Sequence, residues 1–331
     1  MVVSFYGIEI NMTQNRAMSG TILKFCYQPS EPAHPRELRM SASEHSHTGL
    51  QFSELTSFMG AEVHCVDLNT PLSETDFADL RRGLADYSLL LIRDQDMTPE
   101  SQIAFSRRFG ELEDHVLQDF CLDGHPEIFV VSNIIDDGKH IGAYGGSKQY
   151  HSDLAYIEKP SLGSVFYCLE CTEEGGETAF VSMYAVHDGL PEDKRAWLTE
   201  QKVVFDYPWN HEIYNTHRPA LTQKQIDSTP PIAHPCVRTH PETGRRAAFF
   251  SPIWIRNFEG MSEEESQPIL KELCDFATQD QFTYTHTWRP GDVLIWDNRS
   301  SMHKAMPFDE ENARRLMHRT TICGDRPYLD V

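Results

Sequence analysis

From about Gln51 onward, short stretches of alternating apolar and polar residues recur along the chain, interrupted by a few stretches of helical period. The clearest alternation spans 282–288. Phe282, Tyr284, His286 and Trp288 interleave with Thr283, Thr285 and Thr287, the pattern of a half-buried strand. Shorter runs predict strands at 61–66, 88–92, 128–132, 164–170, 178–182, 203–207, 247–251, 292–296 and 316–322. Residues 73–87 instead put Phe77, Leu80 and Leu84 on one face behind Ser73, which predicts a helix with a serine N-cap. Thr98-Pro99-Glu100 is a second helix start, with an end near Gly110. Two further helices are expected near 182–201 and 262–278. Many short strands with few helices predict a mainly β chain, an antiparallel double-sheet barrel wrapped by helices. The connections at 136–150 and 209–231 are long, which marks functional or mobile segments.

The first 48 residues lack this regularity. The segment from Gln28 to Pro35 is turn-rich and the one from Ser41 to Gly49 is small and polar, so 1–48 is expected to be a loosely ordered extension. Met40 is an expected alternative start. A chain of 331 residues suggests two domains at roughly 150 residues each. With the extension set aside and no linker or repeat found, 49–331 is expected to be one domain.

Composition narrows the partners. Apolar residues make up 40% and charged residues 24%, which suits a packed globular chain. Lys plus Arg is 29 against 50 Asp plus Glu, a net charge of −21. That balance excludes polyanionic partners, so neither nucleic acid nor an anionic membrane is expected. It leaves room for a small anion, which needs only one or two arginines. No apolar run approaches the length of a spanning helix, and no secretory signal is expected at the N-terminus. The eight cysteines (Cys26, Cys65, Cys121, Cys168, Cys171, Cys236, Cys274 and Cys323) include one close pair, Cys168 and Cys171. No second pair completes a zinc ribbon, so reduced thiols and a cytoplasmic location are expected. Asn298-Arg299-Ser300 matches a glycosylation sequon, which is accidental in that setting.

Candidate chemistry centres on Tyr150-His151-Ser152-Asp153. Residues i and i+2 of a strand share a face, so His151 and Asp153 would present an imidazole and a carboxylate together. His303 follows the strand at 292–296. Two histidines and one carboxylate on one face form the facial triad of non-haem Fe(II) oxygenases, with open positions. With 16 histidines in an Asp-rich chain, roughly one His-x-Asp pair arises by chance, so the pair alone is also compatible with ordinary core or surface histidines. Arg315, just before the 316–322 strand, and Arg319 within it would share one face by a period of two. Buried arginines need an anion, either a carboxylate ligand held by the guanidinium or salt-bridge partners within this acidic chain.

These segments occur in an ordered set. Gly60-Ala61-Glu62-Val63, Leu91-Ile92-Arg93-Asp94-Gln95 and Phe109-Gly110-Glu111-Leu112 precede His151-Ser152-Asp153. Gly175-Gly176-Glu177-Thr178, Arg238-Thr239-His240-Pro241, Trp296-Asp297-Asn298-Arg299, His303 and Arg315 through Thr321 follow it. In this order they resemble the Fe(II)/2-oxoglutarate dioxygenases of the taurine dioxygenase (TauD/TfdA) family, over about 51–331. The resemblance implies a mainly β fold with flanking helices and a double-stranded β-helix (jelly-roll, cupin-like) core. It implies His151, Asp153 and His303 as iron ligands, Thr178 and Arg315 as contacts to 2-oxoglutarate, and Arg319 and His115 as contacts to an anionic substrate. For His115 a surface loop position is the alternative. The spacing from His303 to Arg315 is one residue longer than usual in the family. If the extra residue lies in the strand rather than in the loop at 307–313, Arg314 takes the place of Arg315.

The implied reaction uses Fe(II), O2 and 2-oxoglutarate, releases succinate and CO2, and oxidises a C–H bond of a small carboxylate, amino acid, sulfonate or sulfate. An intact Asp153 favours hydroxylation, with desaturation or cyclisation open. The rival reading is a jelly-roll metal protein that binds or senses a small ligand without oxidising it. A zinc hydrolase is disfavoured, because no general base is evident and Arg315 would be unexplained. A homo-oligomer, taken as a dimer, is expected from the resemblance.

Overall fold

The computed structural model describes residues 2–5, 8–11, 49–113, 118–144, 147–214 and 220–330. The chain divides into two compact units, 1–46 and 47–331. In the first, Val2–Phe5 pairs antiparallel with Ile8–Asn11; the rest of the extension expected at 1–48 lies outside the described residues.

The second unit is built on two facing sheets. Among its described residues, the larger sheet runs in the order Gln51–Glu54, Ala61–His64, Leu89–Ile92, Val293–Asp297, Gly163–Glu170, Leu316–Ile322, His125–Ser132 and Cys121–Leu122. The smaller sheet has Thr178–Ser182 between Thr283–His286 and Ser301–Ala305. Side-chain alternation explains the core. Phe166, Cys168, Leu294, Trp296 and Met317 of the larger sheet meet Phe180 and Trp288 in one buried cluster. The intervening Val165, Tyr167, Val293 and Ile295 pack outward against Leu80, Leu84, Phe105 and Phe109. A strand buried on both faces reads as a continuous apolar run, as Gly163–Glu170 does. This is the jelly-roll core with flanking helices.

The helices form where their caps predict. Ser73 accepts from the Asp76 amide and caps Glu74–Tyr87. Thr98 caps Pro99–Arg107, and a Ser262/Glu265 capping box opens Glu263–Ala277. Several expectations change, and the strands expected over 61–66 and 282–288 shorten to Ala61–His64 and Thr283–His286. The helix expected over 182–201 is two, Met183–Gly189 and Glu192–Thr199; Pro191 forces Leu190 into extended backbone and ends the first. The strand expected to reach 207 stops at Phe205, because Asp206 accepts from the Trp209 amide and starts the helix Tyr207–Tyr214. The strand expected over 247–251 is Arg246–Ala248. His151 to Asp153 is not a regular strand: His151 makes a single bridge to His303, and Asp153 opens a turn.

Gly163 lies inside the larger sheet, opposite Asp297 and Ile322. A Cβ there would stand 2.0 Å from the Trp296 carbonyl oxygen. Gly163→Ala should therefore push the Val293–Asp297 strand away and cost about 2 kcal/mol. The urea midpoint checks this, and an unshifted midpoint would mean that the sheet relaxes freely.

Candidate active site

The site forms where three segments of distant sequence are tied together. The His151 amide donates to the His303 carbonyl at 2.9 Å and the His303 amide to the His151 carbonyl at 2.8 Å. This reciprocal pair sets the two imidazoles side by side, with ring centroids 4.4 Å apart. The Ser152 hydroxyl donates to the Ser301 carbonyl at 2.9 Å and locks the same two segments. His303 also packs on Trp296 and Phe180, at centroid distances of 4.7 and 6.0 Å.

Asp153 completes a triad. One carboxylate oxygen is 3.6 Å from His151 Nε2 and the other 3.8 Å from His303 Nε2. One ligand atom from each residue lies within 4.8 Å of the others. His151 Nδ1 is 3.0 Å from the Gln149 carbonyl, a contact that fixes the orientation of the ring and turns Nε2 toward Asp153. The Asn298 amide and the Ser164 hydroxyl each donate toward one Asp153 oxygen at 3.4 Å, and Arg319 Nη1 is 3.5 Å from the other. Burial by itself pushes the Asp153 carboxyl up, but His303, Arg319 and His151 outweigh it and hold it well below the usual carboxylate range. Burial acts the other way on His303, which with help from His151 it pushes down to about 3. At neutral pH the site thus presents a neutral imidazole and an anionic carboxylate, the protonation states that divalent-metal binding requires. Two imidazole nitrogens and one carboxylate, buried and convergent, fit a single transition-metal ion.

The strand bearing His303 is anchored upstream by a buried charge network. Asp297 accepts from His240 Nε2 at 3.0 Å and from Arg299 Nε at 2.9 Å, and Arg299 reaches Glu242 at 2.9 Å. Burial would raise the Asp297 carboxyl, yet Arg299 and His240 hold it far down. The turn that leads into Ser301–Ala305 is fixed by these bonds.

The two arginines at 314 and 315 part company. Arg314 reaches outward to Glu170 at 2.9 Å. Arg315 is 6% exposed, and its guanidinium lies over the Phe166 ring at 5.7 Å. Its Nε is buried with no hydrogen-bond partner, and burial pushes its pKa down to about 10. No salt bridge to it occurs among the described residues. Arg319 lies over the Phe129 ring at 5.2 Å, on the Asp153 side. Thr178 is buried, and its hydroxyl oxygen accepts from the Trp288 indole at 3.0 Å. Phe166 packs edge-on against both Trp288 and Trp296, so Thr178, Arg315 and His303 rest on one continuous bed of aromatic rings. His115 lies outside the described residues.

Asn298 and Trp288 belong to this site, although the sequence pattern marks Trp288 only as part of an alternating strand and gives Asn298 no role. Asn298 lies within one of the ordered segments, and Trp288 at the end of the 282–288 alternation. Only the fold reveals that Asn298 reaches back 145 positions to Asp153.

Paired antiparallel sheets that gather two histidines and an aspartate, and that bury an arginine with no salt bridge among the described residues, have the donor set of a non-haem oxygenase and a place for an anion. Comparison with known proteins specifies the class. The model of the family described as "Taurine catabolism dioxygenase TauD, TfdA family" matches residues 51–321. The (S)-phenoxypropionate/alpha-ketoglutarate-dioxygenase of Sphingobium herbicidovorans is 31% identical over 284 residues, 82% of this chain and 94% of that protein. The alpha-ketoglutarate-dependent 2,4-dichlorophenoxyacetate dioxygenase of a Burkholderia species is 30% identical, covering 81% of this chain and 92% of its own. Among solved structures, AAD-2 in complex with Mn(II) and N-oxalylglycine superposes with a TM-score of 0.72 at 26% identity, covering 84% of this chain and 98% of that one. The chain belongs to the TauD/TfdA family. It is an oxidoreductase, a 2-oxoglutarate-dependent dioxygenase acting on a small molecule, which selects the enzyme over the ligand-sensing alternative. Among the described residues, no helix is long and apolar enough to cross a membrane.

Proposed function

We propose that His151, Asp153 and His303 hold Fe(II), that Thr178 and Arg315 hold 2-oxoglutarate, and that Arg319 receives the anionic group of the substrate. The observation that carries this reading is Arg315, a buried guanidinium with no salt bridge among the described residues, joined to His303 through the rings of Phe166 and Trp296. Such a charge is costly until an anion pairs with it, and a dicarboxylate co-substrate supplies one. When bound, the iron and O2 supply the oxidising chemistry that turns 2-oxoglutarate into succinate and CO2 and attacks a C–H bond.

The chain's own residues orient and shield. His151 and His303 offer imidazole nitrogens, and Asp153 offers the anion that offsets part of the metal's charge. Asn298 and Ser164 hold the carboxylate while the aromatic bed excludes water. On the Arg319 side, Tyr156 stacks on Tyr207 at 4.6 Å and meets Trp254 at 4.7 Å. Burial pushes the Tyr156 hydroxyl up, and the charges of Tyr207 and Asp153 add to that effect, so it stays neutral beside the site. This supports a substrate with an anionic head for Arg319 and a flat apolar body for the aromatic wall. Aryloxyalkanoates of the kind named for the two relatives have that form.

The test is succinate release from 2-oxoglutarate with phenoxypropionate, an alkyl sulfate and taurine, with product masses recorded. Release stimulated most by the aromatic anion is expected. Arg319→Leu should raise the KM for that anion about 10- to 100-fold. Equal KM values in wild type and variant would overturn the anion assignment.

A further inference from the structure

The bond between Trp288 and Thr178 constrains more than packing. Thr178 is 4% exposed and Trp288 6%, and their bond is the one side-chain hydrogen bond that Thr178 makes among the described residues. An indole N–H only donates, whereas a hydroxyl has one proton and two acceptor positions. The indole thus occupies an acceptor position and leaves the Thr178 proton uncommitted, directed away from the ring. A free hydroxyl rotates to suit its neighbours; this one is held. The indole is itself held, edge-to-face against His286 at 4.7 Å and against Phe166 at 5.4 Å. Phe166 in turn carries the Arg315 guanidinium, so both proposed co-substrate contacts lean on connected rings.

We propose that Trp288 is a positioning residue for 2-oxoglutarate, its N–H orienting the Thr178 hydroxyl so that the hydroxyl proton is donated to a carboxylate of the co-substrate. The proposal rests on the reading of Thr178 as a co-substrate contact, and the test separates the two. The full chain is loaded with Mn(II), and 2-oxoglutarate is titrated by calorimetry into wild type, Trp288→Phe, Thr178→Val and the double variant. Thr178→Val should weaken binding about 10- to 30-fold, the loss of a hydrogen bond to a charged acceptor. Trp288→Phe keeps a ring but deletes the donor, and should weaken it about 3- to 10-fold. The double variant should bind no more weakly than Thr178→Val, because the indole acts only through the hydroxyl. In turnover, Trp288→Phe should raise the KM for 2-oxoglutarate and leave kcat at saturation unchanged.

Wild-type affinity in Trp288→Phe would overturn the proposal. So would a Trp288→Phe loss that persists undiminished in the Thr178→Val background, which would make the ring a packing element. Wild-type affinity in Thr178→Val would instead overturn the reading of Thr178, and the proposal with it. Should Trp288→Phe fail to fold, a benzothienylalanine at position 288 replaces the N–H by sulfur at nearly constant shape and is judged by the same outcomes.

Discussion

Replacing Asp153 with alanine is expected to lower succinate release by at least about a thousand-fold while the chain still unfolds cooperatively. The size follows from what remains. Without Asp153 the metal would see two neutral imidazoles and no anion, and the nearest charge would be the Arg319 guanidinium, 3.5 Å from the lost carboxylate. Disturbing residues behind a ligand costs about 10- to 100-fold; removing the only charged ligand costs more. Stability should change far less. The carboxylate is 8% exposed, so its burial already weighs against its contacts with Arg319, Asn298 and Ser164. Metal retention after dialysis, succinate yield and a thermal melt separate these effects. Wild-type turnover by the variant would sink the ligand assignment.

The second large effect concerns neighbouring arginines with opposite expectations. Arg315→Leu should raise the 2-oxoglutarate concentration needed for half-maximal rate about 100- to 1000-fold, the loss of a buried charged pair. Arg314→Leu should change it by less than about twofold, because its bond to Glu170 is an exposed surface pair. The apoprotein gives an independent check. Since Arg315 has no counter-ion, its removal relieves an uncompensated buried charge, and the leucine variant should melt no lower than wild type. Kinetics with the two variants exchanged would move the anchor to Arg314 and put the extra residue of the His303–Arg315 interval inside the strand.

How far the sequence anticipates this arrangement depends on the range of each interaction. Caps and alternation are local, so the helix at Glu74–Tyr87 and the strands at Thr178–Ser182 and Leu316–Ile322 are legible residue by residue. The inward phase of Arg315, Met317 and Arg319 follows from the same alternation. The i, i+2 argument brings His151 and Asp153 together correctly but for the wrong local reason. The segment is a bridge followed by a turn, and His303, on the far side of the sheet pairing, holds it. The bonds from Asn298 to Asp153 and from Trp288 to Thr178 span more than a hundred residues. Nothing local in either segment specifies its partner.

The reciprocal bonds between His151 and His303 make two ligands of the proposed metal site a single unit. Their separation is set by one isolated antiparallel bridge, reinforced by the bond from Ser152 to Ser301. Asp153, in the turn beyond, is held instead by side chains, those of Asn298, Ser164 and Arg319. A donor set of two imidazoles and one carboxylate is open to several divalent first-row metals. Under this assignment the polypeptide leaves the choice among divalent metals to their intrinsic affinities and relative abundance. Occupancy by the productive ion is then decided by the cell's metal supply, outside the protein.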